Sequence, residues 1–179
     1  MDDIGRRIKG EQGLESLEIE DYYDQNSLME WPLSQLVIKS QFLRHLKLYD
    51  LWTTAENKSM LLNFIGEVCL HSDNLETLHL EWTESTAEDG TKLWESLANQ
   101  TDSIQTLQKL TVKNEWNWFR GDQDECLAPL LIVLARLSSL TLLDMENNKL
   151  TVEKEQRIRN VIAHKCEIRG LKLTENQAT

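Results

Sequence analysis

One six-residue phrase, L-x-x-L-x-L, recurs six times along this chain, and a fixed recurrence constrains folding more than any single residue does. The copies are LESLEI from Leu14, LRHLKL from Leu43, LETLHL from Leu75, LQKLTV from Leu107, LTLLDM from Leu140 and IRGLKL from Ile168. Their fourth positions, Leu17, Leu46, Leu78, Leu110, Leu143 and Leu171, are spaced by 29, 32, 32, 33 and 28 residues. A period near 30 with apolar anchors in fixed phase is the signature of a stacked repeat, or solenoid.

Inside each phrase apolar and polar residues alternate, the period of a half-buried strand. This predicts strands near 16–20, 45–49, 77–81, 109–113, 142–146 and 170–174. Between phrases the apolar spacing becomes helical. Leu33, Leu36 and Val37 form one such set; Leu61, Ile65, Val68 and Cys69 a second; Leu93 and Leu97 a third. Leu127, Leu131 and Leu134 follow, then Ile158, Val161 and Ile162, giving five predicted helices. Pro129 is compatible with the fourth only near its first turn, after Asp122 or Asp124 as a cap.

A strand–helix unit cannot bury its apolar face alone; stacked neighbours bury it, parallel strands on one side and helices on the other. The expected fold is therefore α/β, with the sheet on the concave side. Residues 1–13 form a polar, partly ordered lead and 14–179 the repeat domain.

The phrases resemble the leucine-rich repeat family, and the period with helical connectors is similar to its ribonuclease-inhibitor-like class. The resemblance spans about residues 14–176 and implies a leucine-rich-repeat solenoid, a curved horseshoe segment of about six repeats. It is fullest in the fifth repeat, which carries Asn148 after its strand, and Asn176 stands at the matching place in the sixth. Tyr22, Leu51, Thr83 and Glu115 occupy that place in the first four, where the family favours Asn or Cys.

The net charge of −11 opposes non-specific binding to nucleic acid or to an anionic membrane, because phosphate contacts need clustered Lys and Arg. It favours a protein partner with a basic contact surface. The start, MDDIGRRIKGEQG, lacks an apolar core of signal-peptide length, and no stretch is long and apolar enough to span a bilayer. Three separated cysteines, Cys69, Cys126 and Cys166, without CxxC, fit a reduced, cytoplasmic setting. Cys69, in an apolar helical stripe, reads as a small core residue.

The outward strand positions nominate a concave recognition face: Glu18, His45, Lys47, Tyr49, His79, Glu81, Lys109, Lys113, Asp144 and Glu146. Gly170 and Lys172 fall on the same face in this register. Glu18 beside Lys47, and Glu81–Lys113–Glu146 along one row, also read as cross-strand pairs that satisfy the sheet itself. A second feature is aromatic. Tyr22, Tyr23, Trp52, Trp82, Trp116, Trp118 and Phe119 fall at or just after strand ends and nominate a partner-binding rim. The alternative is that these rings pack on one another and cover loops that lack the Asn. Mixed charges in the last helix (Glu153, Lys154, Glu155, Arg157, Arg159) read as a solvated face.

No catalytic constellation assembles. His45 and His79 fall in different rows and make no metal site without a third ligand, and GxGxxG, GxxxxGK[ST] and HExxH are absent. No cofactor is expected. The leading expectation is a non-catalytic protein-interaction scaffold. The resemblance also allows the substrate-reading repeats of a ubiquitin-ligase receptor or the sensor repeats of an immune receptor, each as part of a larger protein. A GTPase activator similar to the Ran type would need a rim arginine, for which Arg120 is the positional candidate. Neither end carries an obvious polar cap, so the chain is expected either to be a piece of a larger protein or to have an end covered by a partner or by a second copy, that is, self-association through its ends.

Overall fold

The computed structural model describes residues 15–20, 40–49, 55–81, 86–99, 104–113, 118–119, 124–148, 150–162 and 165–170. Six parallel strands form one sheet in sequence order: β1 (Ser16–Glu20), β2 (His45–Tyr49), β3 (Thr77–Glu81), β4 (Lys109–Lys113), β5 (Leu142–Asp144) and β6 (Glu167–Arg169). Four α-helices connect the last five: α1 (Ala55–His71), α2 (Ala87–Asn99), α3 (Leu127–Arg136) and α4 (Val152–Ile162). Each helix packs on the next. A 3-10 turn, Ser40–Phe42, precedes β2. The expected helix at 33–37 lies outside the described residues.

Alternation decides which strand face is buried. Leu46, Leu48, Leu78, Leu80, Leu110, Val112, Leu143 and Met145 are essentially inaccessible, whereas their neighbours are half-exposed or exposed. Leu17 and Ile19 of β1 follow the same rule. The helices meet this face with Leu61, Ile65, Val68 and Cys69 of α1, Leu93, Trp94 and Leu97 of α2, Leu130, Val133 and Leu134 of α3, and Ile158 and Ile162 of α4. Each such side chain contributes about 1.5–3 kcal/mol of burial.

Strand register is set where each strand begins. The Glu15 carbonyl accepts the N–H groups of both Arg44 and His45; Arg44 O accepts those of Glu76 and Thr77. Glu76 O then takes Gln108 and Lys109, and Gln108 O takes Thr141 and Leu142. Helix ends are also tied between units: Arg136 donates to Ala98 O (2.9 Å) and Lys165 to Ala135 O (2.6 Å), satisfying carbonyls near the ends of α2 and α3.

Helix starts follow local chemistry. Thr86 and Asp89 form a reciprocal cap on α2, with Asp89 N–H donating to Thr86 Oγ1 (3.2 Å) and Thr86 N–H to Asp89 Oδ2 (2.8 Å). Pro129 is the third residue of α3, where its missing N–H costs no helical bond. The expected Asp124 cap is not made: Cys126 is the N-cap residue without a side-chain cap bond, and the Asp124 carboxylate pairs with Arg157 of α4. Asp122 lies outside the described residues.

The last two strands correct the expected boundaries. β5 stops at Asp144 because Asp144 Oδ1 accepts the Glu146 N–H (3.0 Å) and Asn147 turns to positive φ (63°). β6 covers Glu167–Arg169, before the expected start at 170, with Ile168 opposite Leu143. Gly170 adopts φ +78°, and a Cβ there would overlap the Glu146 backbone. Ile168 thus takes the place opposite Leu143 three residues before Leu171, the fourth position of the phrase IRGLKL. Residues 171–174 lie outside the described residues.

Candidate interaction surface

The half-exposed strand face carries three rows fixed by pairing. The first runs Ser16, His45, Thr77, Lys109, Leu142, Glu167; the second runs Glu18, Lys47, His79, Thr111, Asp144, Arg169. The third holds the pairs Glu20–Tyr49 and Glu81–Lys113, with Tyr49 and Glu81 next after the paired Leu48 and Leu80. Thus Glu18, His45, Lys47, Tyr49, His79, Glu81, Lys109, Lys113 and Asp144 share one open face as expected, and His45 and His79 stand in different rows. Glu146 follows β5 in the turn and is exposed.

Polar contacts knit the rows together. Lys47 Nζ lies 3.6 Å from Glu18, and Lys113 Nζ lies 3.7 Å from Asp144 and 3.9 Å from Glu146. His45 Nδ1 meets Thr77 Oγ1 at 3.1 Å. His79 Nε2 meets Glu81 Oε2 at 3.2 Å, while its ring sits 4.4 Å from that of Tyr49. Burial holds the His79 imidazole below its ordinary pKa, against the opposing pull of Glu81. Burial likewise raises the Tyr49 phenol, so its ring stays neutral. Exposed pairs of this kind stabilise weakly, by about 0–1 kcal/mol each, so the face gains little from them and keeps its charges available.

Among the described side chains of the open face, five carboxylates (Glu18, Glu81, Asp144, Glu146, Glu167) stand with four cations (Lys47, Lys109, Lys113, Arg169). Glu167 and Arg169 were missed from the sequence because the phrase at Ile168 set the sixth strand three residues late. Gly170, placed inside that expected strand, was the available signal.

The aromatic rim is corrected where it is described. Trp118 and Phe119 are 2% and 3% exposed. Trp118 packs edge-on against Trp94 (5.8 Å) and Phe119 (6.5 Å). Gly90 on α2 makes room: a Cβ there would come within 2.7 Å of Cys126 Sγ and 2.9 Å of Trp118. These two rings pack on each other and on α2, the alternative expected for them, and are buried where an exposed rim was nominated. Tyr22, Tyr23, Trp52, Trp82, Trp116 and Arg120 lie outside the described residues.

The charged face of α4 is also corrected. Lys154 and Glu155 are buried, Arg157 and Arg159 are half-buried, and Glu153 is exposed. Lys154 sends its ammonium to the Phe119 carbonyl (3.2 Å), closing over the buried rings. Asn148 of the fifth repeat donates to Val112 O (2.6 Å) and Met145 O (2.9 Å), satisfying carbonyls at the exits of β4 and β5.

Leu17 and Ile19 of β1 and Ile158 and Ile162 of α4 are buried, and Ile168 of β6 is half-buried. Among the described residues no cluster of three His, Cys, Asp or Glu is arranged to hold a metal ion, and no helix is long and apolar enough to cross a membrane. No family model, curated protein or solved structure matches this chain.

Proposed function

We propose that this chain is a non-catalytic protein-interaction scaffold of the leucine-rich-repeat type, which holds a partner protein against the concave, open face of its sheet. One observation carries the reading: six in-register strands place Glu18, Lys47, Tyr49, His79, Glu81, Lys113 and Asp144 on a single continuous face. A surface held by a sheet and its stacked helices is preorganised, so a partner loses little affinity to ordering the receptor. The chain's −11 charge draws a basic protein toward it from a distance. The mixed-sign face then selects a partner whose charges alternate in the complementary order.

The test is site-specific photo-cross-linking in cells. A benzophenone side chain replaces Thr111, at the centre of the open face, or Glu95, exposed on α2. A discrete protein adduct from position 111 that is absent from position 95 is the expected result. Adducts only from position 95, or the same set from both, would remove the open face as the binding surface.

A further inference from the structure

The carboxylates of the open face are not equivalent. Glu18 has Lys47, Glu167 has Arg169 (3.0 Å), and Asp144 and Glu146 share Lys113. Glu81 is paired instead with an imidazole, His79. Glu81 stands opposite Lys113 in the register of β3 and β4, yet the Lys113 ammonium reaches the far side, to β5 and the turn beyond it. Glu81 keeps a third of its side-chain surface open. Tyr49, in the same row on β2, is half-buried, with its ring set against His79.

We propose that Tyr49 and Glu81 form the anchor subsite of the open face, and that the subsite takes an arginine guanidinium from the partner protein. The proposal rests on the interaction reading above and names the chemistry that the partner must bring. A guanidinium is planar, stacks on an aromatic ring and donates in a fork that matches a carboxylate. Tyr49 supplies the ring and Glu81 the carboxylate; they follow the paired residues Leu48 and Leu80 on adjacent strands, and His79 touches both. The surrounding charge agrees: Glu18, Glu81, Asp144 and Glu146 face two ammonium groups, Lys47 and Lys113, around this point. Among the described side chains, these four carboxylates and two cations leave an excess of negative charge around Tyr49 and Glu81. The imidazole between them has its pKa pulled down by burial and adds no compensating charge at neutral pH.

The experiment is an amide-resolved NMR titration of the full chain with N-acetyl-arginine amide, and with N-acetyl-citrulline amide as the neutral analogue of nearly the same shape. Shifts centred on Leu48, Tyr49, Leu80 and Glu81 with the arginine compound, absent with citrulline, are expected. Affinity should fall about five- to tenfold in Glu81→Gln and in Tyr49→Leu, with amides elsewhere unmoved. Glu81→Gln keeps a group able to bond His79, so it separates lost charge from lost structure.

Equal response to citrulline, no shift in β2 and β3, or arginine binding unchanged in Glu81→Gln would overturn the subsite. Should the position-111 adduct form while Glu81→Gln changes nothing, the subsite fails and the interaction reading stands. Arginine binding at Glu81 without that adduct gives the reverse.

Discussion

Lys154 of α4 donates its ammonium to the Phe119 carbonyl, 35 residues earlier in the chain, in a setting where Lys154 is 4% exposed. A buried cation on a loop carbonyl is a fastening: it satisfies the carbonyl and spends its aliphatic stem as packing. Lys154→Met keeps most of the stem and removes the donor. Unfolding in urea should show a loss of about 1–3 kcal/mol. A loss below the measurement error would mean that water replaces the ammonium at no cost.

Gly90 presents two opposed effects. It lies inside α2, where Ala is intrinsically better than Gly by about 1 kcal/mol. Yet the added methyl would meet Cys126 Sγ at 2.7 Å and the Trp118 ring at 2.9 Å, a pair of groups fixed among buried neighbours. Overpacking of this kind costs about 1–3 kcal/mol and should win. Gly90→Ala is therefore expected to lower the melting temperature, and tryptophan fluorescence should report a displaced Trp118.

His79 makes stability depend on pH in one direction. Its folded-state pKa lies below the ordinary 6.5, chiefly through burial and with Lys113 adding to the effect, against Glu81 and Asp144. The unfolded chain binds the proton more readily. Stability is thus full above about pH 6.5 and declines as pH falls through the lower folded value. Melting curves from about pH 7.5 to about pH 5 should show native chain losing ground to His79→Gln as acid is added. Parallel curves would assign the acid sensitivity elsewhere.

The cysteines should separate by reactivity. Burial pushes the Cys69 thiol up to about 12, and likewise that of Cys126, where Trp94 and Lys154 pull weakly the other way. Cys166 is half-buried, its pKa also raised by burial. Iodoacetamide on the native chain should label Cys166 slowly and leave the other two untouched until denaturant is added, as peptide mass spectrometry will show. Early labelling of Cys126 would mean that the Trp118 loop opens.

Much of the fold was legible because the phrase L-x-x-L-x-L states both register and facing. Leu46, Leu78 and Leu110 align in the sheet as they align in sequence, and Glu18–Lys47 follows from that alignment. The sixth strand was not legible, since Ile168-Arg-Gly-Leu-Lys-Leu fits the pattern in a frame that the structure does not use. What excludes that frame is the approach of Gly170 to the Glu146 backbone, a contact between units that no local pattern carries. Trp118 and Phe119 misled for a related reason. Whether a ring after a strand turns outward depends on what lies beneath it, here Gly90, Trp94 and Cys126. Lys154 and Glu155 likewise sit in a run that reads as solvent-facing, and the Phe119 carbonyl that Lys154 meets lies 35 residues away in sequence.

The doubly accepting carbonyls carry one more implication. Glu15, Arg44, Glu76 and Gln108 stand 29, 32 and 32 residues apart, yet each receives its two N–H groups in the same way. Strands β2 to β5 are thus each indexed from a carbonyl just before the preceding strand, irrespective of how much chain lies between. Residues added to or removed from a connector leave the index untouched, whereas one residue slipped between Arg44 and Leu46 would turn the row that holds Lys47 toward the core. Drift in sequence length should accumulate in the connectors, and the open face should keep its spacing through it.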